Sequence, residues 1–114
     1  MIKTILSVIC AALVTFNAMG ANRQTAYMSI EMVRASQETG TAYVKPVGSI
    51  EIKNTSCSST DLYAISMSDS HFPTLYSTLL AATASKRQIR LWISDLPGDC
   101  LVSRQRIRVV DVKY

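Results

Sequence analysis

The chain has 114 residues, 12 Lys and Arg against 8 Asp and Glu, and a formal net charge of +4. That length suits one domain and excludes two of ordinary size. So small a basic excess argues against nucleic acid as the partner and leaves an acidic glycan, an acidic protein surface or plain solubility.

Residues 1–20 read as a secretory signal. Lys3 supplies the positive start, and Ile5 to Phe16 forms an apolar stretch too short to span a bilayer. Ala18-Met19-Gly20 has small residues where a signal peptidase wants them, so the mature chain is expected to begin at Ala21. Cleavage after Ala21, or an uncleaved anchor, are the alternatives. Cys10 lies inside the apolar stretch and not at the cleavage point, which argues against lipidation. The mature domain, residues 21–114, then keeps Cys57 and Cys100. In an oxidising compartment two cysteines permit a single bridge. The expected location is therefore secreted or periplasmic, with no membrane insertion.

Asn22 to Thr25 is polar and reads as a loose terminus. Thr25 to Ala35 alternates, with Ala26, Met28, Ile30 and Met32 on one side, and predicts a half-buried strand. Ser36 to Gly40 is a turn, and Thr41 to Val47 a second strand made an edge or bent by Pro46. Ser49 to Lys53 alternates again and predicts a third strand, with Ile50 and Ile52 inward. Asn54 to Thr60 is a polar loop carrying Cys57; its Asn54-Thr55-Ser56 matches a glycosylation sequon, to which no weight attaches in a bacterial-style export. Asp61 to Met67 predicts a further strand.

Phe72 to Ile93 combines a helix, a basic turn and an apolar strand. Ser68-Asp69-Ser70 offers capping oxygens, and Pro73 is tolerated only in the first helical turn. Leu75, Leu79 and Ala82, widened by Phe72, Tyr76 and Leu80, form the apolar stripe. Thr74, Ser77 and Thr78 form an uncharged polar side, and Ala81, Ala82 and Ala84 leave the second half slim. Ile89 to Ile93 predicts a central strand with Arg90 outward. Leu96-Pro97-Gly98-Asp99 is a turn, Ser103 to Arg106 a polar bend, and Arg106 to Val112 the last strand. Five or six short strands with one inserted helix predict a mainly β fold: a bent antiparallel sheet on one helix, or a small barrel of the oligosaccharide/oligonucleotide-binding type.

No catalytic constellation emerges, and the chain is read as a non-enzyme. His71 is the one histidine, and its neighbours Ser68, Asp69 and Ser70 cannot converge on it in triad geometry. One histidine and two bridged cysteines leave no zinc set, and no cofactor is implied. Glu31, Glu38 and Glu51 lie on separate segments, unpaired for glycoside hydrolysis. Lys86, Arg87 and Arg90, and Arg104, Arg106 and Arg108, form two basic clusters, read as solvated strand faces or as an anionic partner surface. Of the aromatics, Tyr27 and Tyr43 lie in polar contexts near turns, whereas Tyr63, Tyr76 and Trp92 read as structural.

Phe72-x-Thr74-Leu75-Tyr76, then Leu79 or Leu80, then Gln88-x-Arg90-Leu91 resembles the helix and following strand of the B subunits of pentameric A–B toxins, of the subtilase-cytotoxin, typhoid-toxin and pertussis-like group. The match covers about 25 residues, roughly a fifth of the chain. The resemblance implies an exported single barrel with a disulfide, a homopentameric ring with helices around a central pore, binding to a host-surface sialylated glycan, and delivery of a catalytic A subunit. It places glycan recognition at Ser29 on the first strand, with Tyr27 and Tyr43 beside it. The helix face of Thr74, Ser77, Thr78 and Ala81 would be the subunit contact. The chain departs from that family in having only Ser94 to Asp99 where family members carry a long aromatic-rich loop. The competing expectation is a monomeric exported barrel that binds a protein partner as an inhibitor or accessory factor.

Overall fold

The computed structural model describes residues 22–114. The signal-peptide reading of residues 1–20, the start at Ala21 and Cys10 lie outside the described residues. The elements are β1 (Asn22–Gln24), β2 (Ile30–Ser36), β3 (Thr41–Pro46), β4 (Tyr63–Ser66), α1 (Phe72–Ala84), β5 (Ile89–Ser94), β6 (Cys100–Leu101) and β7 (Arg104–Val112). Among the described residues the fold is mainly β with one helix, as the hydrophobic patterning predicts. The strands run in the order β1-β5-β7-β4-β3-β2, with β6 beside β7.

The sheet does not close: β1 and β2 stand at its two ends, yet they are consecutive in the chain. Between them Met28 makes a lone antiparallel bridge to Ile89, exchanging hydrogen bonds of 2.7 and 2.8 Å. The expected loose terminus is therefore a strand, because Asn22, Arg23 and Gln24 pair with Ser94, Ile93 and Trp92. Polarity hid it: an edge strand exposed on its faces needs no apolar residue. One pairing also departs from the all-antiparallel expectation. β4 lies parallel to β7, with Tyr63 opposite Gln105, and α1 and β5 are the connection that such a parallel pair requires.

Periodicity places the core. Ile89, Leu91 and Ile93 of β5 are fully buried, and they meet Val44, Tyr63, Ile65 and Ile107 beneath Leu79 and Ala82 of α1. In β7, Gln105 and Ile107 point inward. The register with β5 then slips by one residue, Trp92 facing Val109 and Ile93 facing Ile107. That bulge at Arg108 resets the phase, so Val110 and Val112 pack on the core in turn. Tyr43, Leu62 and Ala64 form a second cluster with Met32 and Leu101. β3 thus has both faces covered and lies between β2 and β4, which corrects its reading as an edge. Pro46 sits at its last position, where the missing donor costs least.

α1 starts where Pro73 demands. Asp69 holds the turn that leads in, its Oδ1 accepting the His71 N–H and its carbonyl that of Phe72, but the N-cap residue is His71 and no side chain caps the helix. Thr78, Thr83 and Ser85 donate their hydroxyls to carbonyls four residues back, which satisfies a Ser/Thr-rich helix internally. Leu80 does not join the apolar stripe; it is 44% exposed, one position round from buried Leu79.

The predicted strand Ser49–Lys53 does not form. Ile50 packs on the core, but Ile52 is exposed. The backbone of this segment bonds to side chains instead of to a ladder. Gln105, fully buried, accepts the N–H groups of Lys53 and Asn54 at 2.6 and 2.9 Å and donates to the Glu51 carbonyl at 3.0 Å. The Tyr63 hydroxyl accepts the Glu51 N–H at 2.8 Å and donates to the Glu51 carbonyl. Asn54 is itself buried, its Nδ2 donating to the carbonyls of Ser94 and Leu96. That position leaves the sequon asparagine no room for a glycan. Asn54, Ser56 and Gly98 surround the bridge, which joins Cys57 to Cys100 as expected. Leu96-Pro97-Gly98-Asp99 is a turn closed by Asp99 N–H on the Leu96 carbonyl at 3.0 Å, with Gly98 at φ 79°.

Burial raises the Tyr63 phenol from 10.0 to about 12. The folded state therefore prefers the neutral phenol, and the stabilisation is complete below pH 10, where the unfolded phenol is also neutral. It declines as pH rises from 10 to about 12 and is gone above that. The expected loss is up to about 2–3 kcal/mol. Denaturant titrations at successive alkaline pH values should show this decline, and Tyr63→Phe should remove that part of the slope.

Candidate functional site

The first strand region positions the two residues expected at its surface. Met28 packs against the core, so Tyr27 and Ser29, one residue to either side, face outward. Tyr27 is 38% exposed. The guanidinium of Arg90 lies 4.9 Å from its ring centroid and the Lys113 ammonium 5.4 Å.

Ser29 is exposed, and its carbonyl accepts Val47 N–H at 2.9 Å. Its hydroxyl makes no hydrogen bond among the described residues. It opens on a cleft of about 200 Å³ lined by Ser29, Ile30, Ala82, Thr83, Lys86 and Arg87. The far wall is the end of α1. Arg87 N–H bonds the Ala82 carbonyl at 2.9 Å and Lys86 N–H the Thr83 carbonyl at 3.2 Å, the paired closure in which the residue after the C-cap turns left-handed. That residue is Lys86, at φ 56°, where glycine would be unstrained. The strain is worth about 1 kcal/mol or more.

Tyr43 is not brought to this cleft. It is 5% exposed, its hydroxyl is 3.0 Å from that of Thr39, and the Arg104 guanidinium covers its ring at 5.1 Å. It also pairs across the sheet with Arg34, five residues along from Ser29, about 16 Å away. The polar context that suggested exposure belongs to its neighbours, while the ring packs with Leu62 and Ala64. A sugar-stacking role for Tyr43 is thereby corrected.

The six clustered basic residues divide by partner. Arg90 donates from Nε and a terminal nitrogen to Asp111, which also accepts Trp92 Nε1–H at 2.8 Å. The Trp92 bond holds the Asp111 carboxyl below the usual carboxylate range against the opposing effect of burial, with Arg90 adding to it. Arg104 clamps both oxygens of Asp61, and that hydrogen-bonded pairing lowers the Asp61 carboxyl likewise. Arg106 lies 3.4 Å from Asp99 without hydrogen-bond geometry. Lys86, Arg87 and Arg108 have no acidic partner among the described residues. Lys86 and Arg87 stand at the cleft, and Arg87 is also stacked over Tyr114 at 4.7 Å.

The helix face expected at a subunit contact is largely open. Thr74, Ser77 and Ala81 are exposed and Thr78 half-buried. Ser77, Thr78 and Ala81 border a groove of about 470 Å³ with Val112 and Tyr114. Thr74 and Thr78 border a second, of about 490 Å³, with His71, Leu75 and Arg108. His71 is exposed and its side chain is engaged by no other group among the described residues. The described residues contain no cluster of three or more His, Cys, Asp or Glu able to hold a metal ion, and no helix long and apolar enough to cross a membrane. No protein-family model, curated protein or solved structure matches the chain.

Proposed function

We propose that the mature chain is a non-catalytic, exported glycan-binding subunit that forms a homo-oligomeric ring and carries a catalytic partner, in the manner of the toxin B subunits it resembles. The observation that carries this reading is the cleft at Ser29: a hydroxyl without a hydrogen-bond partner among the described residues and two cationic residues, Lys86 and Arg87, line one space of about 200 Å³. Such a site suits an acidic sugar, whose charge the cations meet and whose hydroxyl or carboxylate oxygens the serine engages. Lys86 in a left-handed conformation supports it, because strain retained at an exposed residue points to a use for the side chain.

The strand order supports a partly open barrel of the oligosaccharide-binding type, with β1 and β2 as two halves of one bent strand. The disulfide is compatible with an extracellular or periplasmic protein. The grooves beside α1, with Ser77, Thr78 and Ala81 on one and Arg87 and Arg108 among their lining residues, offer a face for neighbouring protomers. Light scattering of the mature chain is expected to give the mass of a ring of five. A monomer at micromolar concentration would contradict the ring and favour the alternative, a monomeric barrel that binds a protein partner.

A further inference from the structure

The Ser29 cleft has a composition unusual for a sugar pocket. None of its six lining residues is aromatic and none is acidic. The aromatic candidates nearby do not line it: Tyr27 carries two cations over its ring, and the Tyr43 ring is buried under Arg104. Stacking on a sugar face, the usual source of affinity for a neutral saccharide, therefore has no platform within the cleft. What the cleft offers is charge. Lys86 and Arg87 are adjacent, lack acidic partners among the described residues and line the cleft together with Ser29, the Arg87 guanidinium lying 4.7 Å over the Tyr114 ring beside it.

The backbone around the cleft does not compete for an anion. The N–H groups of Ser85, Lys86 and Arg87 are spent on the Ala81, Thr83 and Ala82 carbonyls. Those bonds also blunt the negative end of the helix, which would otherwise repel an anion. Recognition falls to two side-chain cations and one hydroxyl. Lysine is a point charge without directional demand, and arginine matches any oxyanion that presents two oxygens. Neither tells the carboxylate of an acidic sugar from a sulfate ester.

We infer that Lys86 and Arg87 are the specificity-determining residues of this cleft and select the charge of a substituent, so that sulfated glycans are ligands of this protein alongside sialylated ones. This inference rests on the glycan-binding reading above and extends it from acidic sugars to sulfate esters. Ser29 positions the sugar ring; the two cations hold the sulfate. Because the site is open to water and made of exposed charges, binding is sensitive to salt.

The test is isothermal titration of the mature oxidised protein with sulfated, sialylated and unsubstituted N-acetyllactosamine. The sulfated form is expected to bind at least tenfold more tightly than the unsubstituted one. Lys86→Gln with Arg87→Gln should remove that difference, and Lys86→Arg should retain it. Both are exposed substitutions, and an unchanged thermal transition confirms the fold. Raising sodium chloride from about 50 to about 500 mM should weaken the sulfated ligand tenfold or more. Sialylated ligand binding while sulfated ligand does not, or sulfated binding untouched by the double substitution, would overturn the inference and leave the glycan-binding function standing. No binding of any of the three overturns both.

Discussion

Replacing Gln105 with leucine is expected to lower the free energy of unfolding by about 3–5 kcal/mol. Leucine fills a similar volume but removes three hydrogen bonds. The N–H groups of Lys53 and Asn54 lose their acceptor, and the Glu51 carbonyl loses one of its two donors, keeping the Tyr63 hydroxyl. Gln105 is fully buried, so water reaches these groups only if the 51–54 segment moves. Each buried group left unpaired costs about 1–3 kcal/mol; the two N–H groups are left so, and leucine's gain in apolar burial does not offset them. Urea denaturation checks this directly. A loss below about 1 kcal/mol would show that the segment rehydrates freely and that Gln105 does not hold it.

Removing the bridge with Cys57→Ala and Cys100→Ala is expected to cost about 4 kcal/mol. The two cysteines are 43 positions apart, and the loop between them contains β4, α1 and β5. Opening it returns that loop's closure entropy to the unfolded chain. A domain of this size has only about 5–15 kcal/mol in total, so the thermal midpoint should fall by on the order of 15–30 °C. The bridge also pins the irregular 54–60 segment, next to the Asn54 and Ser56 hydrogen bonds, to the start of β6. A fall of only a few degrees would mean that the unfolded chain is already constrained there.

These two effects mark where the sequence is legible and where it is not. Ile89 to Ile93, the helix from Phe72, and the Cys57–Cys100 pair follow from apolar periodicity, a proline at a helix start and a two-cysteine count. Each of those signals is local or arithmetical. Ser49 to Lys53 carries the same alternation as a strand, yet its hydrogen bonds end on Gln105 and Tyr63, more than ten residues away. Nothing local distinguishes a backbone paired to a ladder from one paired to a buried glutamine. One signal was available: Gln105 continues the two-residue period of Ile107, which puts it on the buried face of β7. A polar residue in an inward position announces that some backbone needs it.

Tyr43 failed for the complementary reason. It lies near the polar turn Ser36 to Gly40, but both faces of β3 are covered, and only the tertiary arrangement says so. That Tyr27 and Ser29 face outward is legible because strand alternation places them opposite Met28; their assignment to a site comes from the resemblance and not from the pattern. Their companions Lys86 and Arg87 were visible only as a basic turn. It takes the Met28–Ile89 bridge to bring the first strand region beside the end of the helix.

The most direct test of the account is a glycan-array measurement on the mature oxidised protein with its Ser29→Ala counterpart. The account predicts binding to acidic glycans that falls at least tenfold on loss of the Ser29 hydroxyl, with an unchanged thermal transition because that hydroxyl supports no structural bond. Binding that Ser29→Ala leaves intact, or no binding to any acidic glycan, would contradict it.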